Sequence, residues 1–164
     1  MHLATRARYA LRMMVDVARH GAAGRPVSLG VVATHTAVSR GYLEHLASSL
    51  RNRGLLQGVA GRRGGYRLGR PAAEIRVDEI VSATLGPLSI VDCLGNPELC
   101  SKSGDCEGRL LWGLVNADLS AALHRHTLAD LLDPAWTEAT RRALEHELPR
   151  PAAAPNPNRR NACP

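Results

Sequence analysis

Two serine-capped apolar periods lie three residues apart and run straight into a turn rich in glycine and arginine; no other feature constrains this chain as strongly. Ser28 precedes a helical period over Leu29 to His35, the pattern pauses at Thr36 to Val38, and Ser39 caps a second period. In that second helix Leu43, Leu46, Ala47 and Leu50 form an inward stripe, and Gly54 is placed to end it. Two short helices joined by so brief a turn predict a helix-turn-helix. The period then changes: Leu55 to Val59 and Tyr66 to Leu68 read as short strands around Ala60, Gly61, Arg62, Arg63, Gly64 and Gly65. A helix-turn-helix followed by such a hairpin is a winged helix, so the expected fold is mainly α with one small β-hairpin wing.

Flanking segments extend this outline. A first helix is expected from Thr5, as N-cap, to a stop at Gly21, with Ala7, Ala10, Leu11, Met14 and Ala18 inward, and a turn from Gly24 to Val27. Ile75 to Val77 reads as a further edge strand and Asp78 to Leu85 as a helix, with Gly86 and Pro87 marking a boundary. Residues 88–106 hold three cysteines among Gly, Pro, Asn and Ser, hence a loop. A long amphipathic helix is predicted from Leu110, with Leu111, Leu114, Val115, Leu119 and Leu123 apolar, and such a helix needs a partner. Thr127 to Leu132 adds a short turn, and Ala135 to Leu148 a further helix. From Pro149 the chain carries five of its ten prolines and reads as a disordered tail. The expected organisation is therefore a winged helix over 1–86, a cysteine-rich loop over 87–109, helices over 110–148 and the tail over 149–164.

Composition supports this plan. Aromatic residues make up 3% of the 164 residues and Phe is absent, so the core must be built from Leu, Val, Ala and Met, a palette that argues against an all-β architecture. The net charge of +6 makes a polyanion, and nucleic acid first of all, the expected partner. No apolar run approaches a membrane span, and Arg6, Arg8, Arg12 and Arg19 interrupt the first segment, so neither a membrane partner nor a signal peptide is expected and the compartment is read as the cytoplasm. In a reducing cytosol the four cysteines call for explanation as thiols, metal ligands or redox groups.

Two constellations carry chemistry. With the leucine face buried, Arg40, Gly41, Glu44, His45, Ser48 and Arg51 point outward from the third helix, where a recognition helix presents base-reading and phosphate-binding groups. Taken alone such a face is as readily a solvated one; the adjoining hairpin tip, with Arg62 and Arg63 between glycines, shifts the reading to DNA. The run Gly61-Arg62-Arg63-Gly64 also matches the GxxG loop of KH RNA-binding domains, but that loop joins two helices and this one joins two strands. The second constellation is Cys93, Cys100 and Cys106, with six and then five residues between them. Three thiols in a flexible polar loop suit an iron–sulfur cluster. Structural zinc, a thiol-disulfide switch and plain free thiols remain alternatives, although the C-x2-C pairs usual for zinc are lacking. Cys163 lies in the tail and is read as incidental. An iron–sulfur electron carrier is the rival from another class; no G-x-S-x-G, phosphate loop, H-E-x-x-H or Rossmann fingerprint occurs, and an enzyme is not expected.

The blocks RYALRMMVDVA, VSRGYLEHLASSLRNRGLL and GRRGGYRLGRPAAEIRVDEIVSA, the three-cysteine loop, Trp112 and TLADLL resemble, in this order over residues 1 to about 133, the IscR and NsrR family of bacterial winged-helix regulators. The resemblance implies a homodimeric transcription factor bound to an inverted-repeat DNA operator, with RNA polymerase at promoters a further partner and the long helix after the cysteine loop packing across the dimer axis. It implies that Ser39, Tyr42 and Glu44 belong to the recognition helix, and that Cys93, Cys100 and Cys106 hold a [2Fe-2S] or [4Fe-4S] cluster that senses cluster status, iron, nitric oxide or redox state. The chain departs from the family at three places. Arg109 stands where IscR-like members carry a histidine ligand, Arg8 where NsrR-like members carry an acidic one, and Ala60 where a wing arginine is usual, with Arg62 or Arg63 as its substitutes. Arginine offers no lone pair, so Asp92, Glu98, Asp105, Glu107, His124, a small thiol or water remain for the fourth position.

Overall fold

The apolar period of the first segment folds as expected and is buried on more sides than expected. In the computed structural model, which describes residues 5–21, 24–102, 104–145 and 147, helix α1 (Thr5–His20) buries Ala7, Ala10, Met13, Met14 and Val17. Leu11 and Ala18 lie at the edges of that stripe, half-buried against the core, and α1 is contacted by the helix-turn-helix and by later helices. Thr5 is the first helical residue rather than the cap.

The helix-turn-helix follows the serine signals. Ser28 Oγ accepts the Val31 N–H at 3.3 Å and opens α2 (Leu29–Thr36); Ser39 Oγ accepts the Tyr42 N–H at 3.4 Å and opens α3 (Arg40–Asn52). Between them Ala37 takes the left-handed conformation, φ 56° and ψ 29°. Leu43, Leu46, Ala47 and Leu50 are all buried, as the spacing predicts. Gly54, at φ 70°, then turns the chain into the wing, a conformation that costs an L-residue steric strain.

Strands β1 (Leu56–Val59) and β2 (Gly65–Leu68) pair antiparallel, Leu56 opposite Leu68 and Val59 opposite Gly65. The turn from Gly24 to Val27 does more than reverse the chain. Val27 and Tyr66 exchange both backbone hydrogen bonds at 2.8 Å and stitch the wing to the segment before α2. The edge strand expected over Ile75 to Val77 does not form. Only Arg76 makes a bridge, to Thr127, and Val77 already opens α4 (Val77–Leu85) after a 3-10 turn at Ala72–Glu74. The Arg76 N–H donates to Glu79 Oε2 at 2.9 Å and Arg70 to Glu79 Oε1 at 2.7 Å, which ties the start of α4 to the strand exit.

The cysteine segment is more ordered than the expected loop: it contains α5 (Asp92–Gly95) and a 3-10 turn at Pro97–Leu99. The long helix α6 (Glu107–His124) begins one turn before Leu110. Thr127–Leu132 is not a bare turn but carries α7 (Leu128–Leu132), entered by a reciprocal cap in which the Thr127 N–H donates to Asp130 Oδ2 at 2.7 Å and the Asp130 N–H to Thr127 Oγ1 at 3.2 Å. Leu128 is fully buried among α1, α2 and α3 residues, in one core with Met13, Met14, Val32, Leu43, Leu50, Leu55, Ile75 and Ile80. A smaller cluster of Ala7, Val77 and Val81 packs with Leu88, Leu123 and Leu131. This first compact unit ends at Leu132. The second contains α8 (Pro134–Ala143), capped by Asp133 and braced by Glu138 on Arg141 and Arg142 at 2.7 and 2.9 Å. The tail expected over 149–164, with Cys163, lies outside the described residues.

Candidate functional site

The third helix presents its predicted polar face. Ser39, Arg40, Gly41, Glu44 and Arg51 are exposed, and Arg40 Nε meets Glu44 Oε1 at 3.1 Å across one turn. Such an exposed pair is weak, so both groups are free to exchange each other for another partner at little cost. Tyr42 is half-buried instead: its ring stacks edge-to-face on Tyr9 of α1, centroids 6.0 Å apart at 84°, and so fixes the start of α3 against α1. The guanidinium groups of Arg8 and Arg12 lie 5.1 and 5.9 Å from the Tyr9 ring centroid.

Arg62 and Arg63 are exposed in the turn between the strands, and among the described residues neither makes an ion pair. The turn closes through the Gly64 N–H on Gly61 O at 2.9 Å, and a Cβ at Gly64 would run into Val59 O and Gly61 O. Glycine there is a packing requirement that holds the two arginines at the tip. Arg67, which sequence reasoning passed over, is also exposed on the wing and donates to Gln57 across the strands at 3.0 Å. Its signal was available in the alternation of β2.

Cys93 lies in α5, Cys100 just after the 3-10 turn and Cys106 at the N-cap of α6; all are half-buried and free. Element α5 packs against both the 3-10 turn and α6, so the fold brings the three cysteine-bearing segments together. Among the described residues their sulfurs do not converge within 4.8 Å of one another, as the ligands of one ion do. Cysteine thiolates suit zinc and iron–sulfur clusters alike, and a multi-iron cluster takes its thiolates at separate corners. The α6 N-terminus, with its partial positive charge, favours an anionic ligand set at Cys106.

Two residues organise the loop. Arg109 Nε donates to the Cys93 carbonyl at 3.1 Å, joining the first turn of α6 to α5. Asn116 grips the chain entering the loop, its Oδ1 accepting from Ile90 N and its Nδ2 donating to Leu88 O, both at 3.1 Å. Sequence reasoning missed Asn116, since an asparagine within an amphipathic helix carries no local mark of such a clamp. The other end of α6 is held to α4: Arg76 donates to His124 O at 2.8 Å, and His124 Nδ1 meets Asp78 Oδ2 at 2.9 Å. On its outer side α6 exposes Leu110 (72%), Leu111, Trp112 and Leu114 (67%).

A capped recognition helix, a paired hairpin with an arginine tip and an appended cysteine segment define a winged-helix DNA-binding regulator. The chain belongs to the Rrf2 family of iron-dependent transcriptional regulators, which matches residues 3–134. It is 36% identical over 132 residues to Protein rrf2 of Nitratidesulfovibrio vulgaris, covering 80% of this chain and 87% of that one. It is 34% identical over 151 residues to the transcriptional regulator IscR of Escherichia coli, 92% of each chain. Among solved structures, T. potens IscR superposes with a TM-score of 0.66 at 28% identity over 92% of this chain and 94% of that one. CymR, the global cysteine regulator of B. subtilis, gives 0.66 at 32% identity over 80% and 96%. No helix among the described residues is long and apolar enough to cross a membrane.

Proposed function

We propose that the chain is a homodimeric, cytoplasmic regulator that reads an inverted-repeat DNA operator through α3 and the wing, under control of an iron–sulfur cluster held by Cys93, Cys100 and Cys106. The observation that carries the reading is the helix-turn-helix with its leucine face buried and Arg40, Glu44 and Arg51 left outside, beside a wing whose tip presents Arg62 and Arg63. Ser39 caps the helix, and Gly41 leaves its first turn without a side chain at the surface that meets the groove. Tyr42 holds that turn in place. The exposed leucines of α6 supply an apolar surface for the equivalent helix of a second copy.

When bound, the cluster supplies iron that reacts with nitric oxide and oxygen and changes charge on oxidation. The chain's own residues carry the response. Arg109 and Asn116 join the cysteine segment to α6, Arg76 and Asp78 join α6 to α4, and α4 packs on α1 and α3. A change in the loop therefore has a continuous packed route to the recognition helix. Binding of palindromic duplexes to the cluster-loaded and cluster-free protein, each with and without Cys93→Ala, Cys100→Ala and Cys106→Ala, tests this. Loading should change operator affinity in the wild type alone. Equal affinity for palindromic and random duplex in every state rejects it.

A second reading, control without a cluster through zinc or a disulfide, rests on the three free thiols that the packing of α5 on α6 and on the 3-10 turn brings into one segment. Anaerobically purified protein that is colourless and switches its DNA affinity on oxidation would select that reading.

A further inference from the structure

The buried polar residue Asp16 has no part in the reading above. Its side chain is only 10% exposed, near the end of α1, and two imidazoles converge on it: His35 Nδ1 from α2 lies 3.0 Å from Oδ1 and His20 Nδ1 lies 3.3 Å from the same atom. The two rings sit 4.4 Å apart, and one ligand atom from each of the three residues falls within 4.8 Å of the others. Among the described residues this is the one such group. Metal–ligand bonds of ~2.0–2.1 Å in a tetrahedron put ligand atoms ~3.4 Å apart, so the two spacings to Asp16 Oδ1 need little adjustment. Neutral imidazoles offer lone pairs and the carboxylate a charge, a donor set suited to borderline divalent ions.

We propose that Asp16, His20 and His35 form a binding site for a divalent transition-metal ion of the zinc or ferrous class, separate from the cysteine loop and independent of its role. Both histidines are on the open side, which leaves room for water to complete the coordination. Without metal, His20 Nδ1 is also 3.0 Å from the Asp16 carbonyl of its own helix, a hydrogen bond the ion must displace. Arg12 and Arg19 line the same depression, yet the ion-pair partners of Asp16 among the described residues are the two imidazoles. The positive charge of the two arginines opposes a bound cation and lowers the affinity that the three ligands alone would give. An ion there links α1 to α2, the first helix of the helix-turn-helix.

The test uses the full-length chain with Cys93, Cys100, Cys106 and Cys163 replaced by Ser, so that no thiol competes. Calorimetric titration should show one Zn2+ bound per chain, Co2+ should give ligand-field bands of a nitrogen and oxygen set, and Zn2+ should raise the melting temperature. His20→Gln or His35→Gln, both at exposed positions, should weaken zinc binding at least tenfold and abolish the melting shift. Should the Cys-free background fold poorly by circular dichroism, the same histidine substitutions in the wild-type chain should remove one zinc equivalent. Zinc affinity unaltered by either substitution, or no binding at all, means the three side chains make a hydrogen-bonded contact only. Neither result bears on the cysteine loop.

Discussion

Single side chains already separate the proposed phosphate-binding role from structural ones. Arg62 and Arg63 stand exposed at a turn that glycine alone can close, and they brace nothing else among the described ion pairs. Replacing both by Ala should leave stability within ~0.5 kcal/mol and lower affinity for all duplexes alike. The slope of log affinity against log salt should flatten by up to ~0.9 for each phosphate no longer neutralised; fluorescence anisotropy across a salt series measures it. Ala37 presents the opposite case, a residue whose cost lies in the backbone. At φ 56° it bears a left-handed strain of ~1–2 kcal/mol, which glycine relieves while adding ~0.5–1 kcal/mol of unfolded-chain entropy. Ala37→Gly should therefore stabilise by up to ~1.5 kcal/mol, read as a raised urea midpoint at constant m-value.

Helix entrances make the fold sensitive to acid. Burial raises the Glu79 carboxyl, but the Arg76 N–H and the Arg70 guanidinium outweigh it and hold the group below its ordinary 4.5. The Thr127 N–H does the same for Asp130, below its ordinary 3.8, against a smaller opposing effect of burial. Both folded-state values lie under the unfolded ones, so this stabilisation is complete above the unfolded values and is lost as pH falls through the folded ones. The melting temperature should drop steadily below pH 4.5, and less steeply in Glu79→Gln. Much at this scale was legible in the sequence. Ser28, Ser39 and Gly54 announce α2, α3 and the exit to the wing, because caps are local chemistry. The pairing of Val27 with Tyr66 and of Arg76 with Thr127 was not, since each joins segments remote in the chain and rests on backbone groups that no residue type marks. The same holds at the candidate site. The cysteines stand out by kind and spacing, whereas Asn116 and the meeting of Asp16 with His35, 19 residues apart, appear only once helices have packed.

For the molecule as a whole, the question is what covers α6. Leu110 and Leu114 are 72% and 67% exposed, an apolar surface that a lone chain in water does not profit from. Leu110→Glu with Leu114→Glu should convert the proposed dimer into monomers in sedimentation and cut operator affinity at least tenfold, because two half-sites then bind independently. Unfolding should be little altered, since neither residue belongs to a core cluster. A variant that stays dimeric would move the interface elsewhere.

Leu128 shows how far the winged helix and the segments that follow it are one object. The chain leaves the winged helix, runs the length of α6 and comes back to plug the middle of the structure it left. Grafting such a head onto a foreign oligomeriser by cutting after α4 would pull out that plug and leave an apolar hole. Exchange of parts between relatives should therefore keep everything up to Leu132 together.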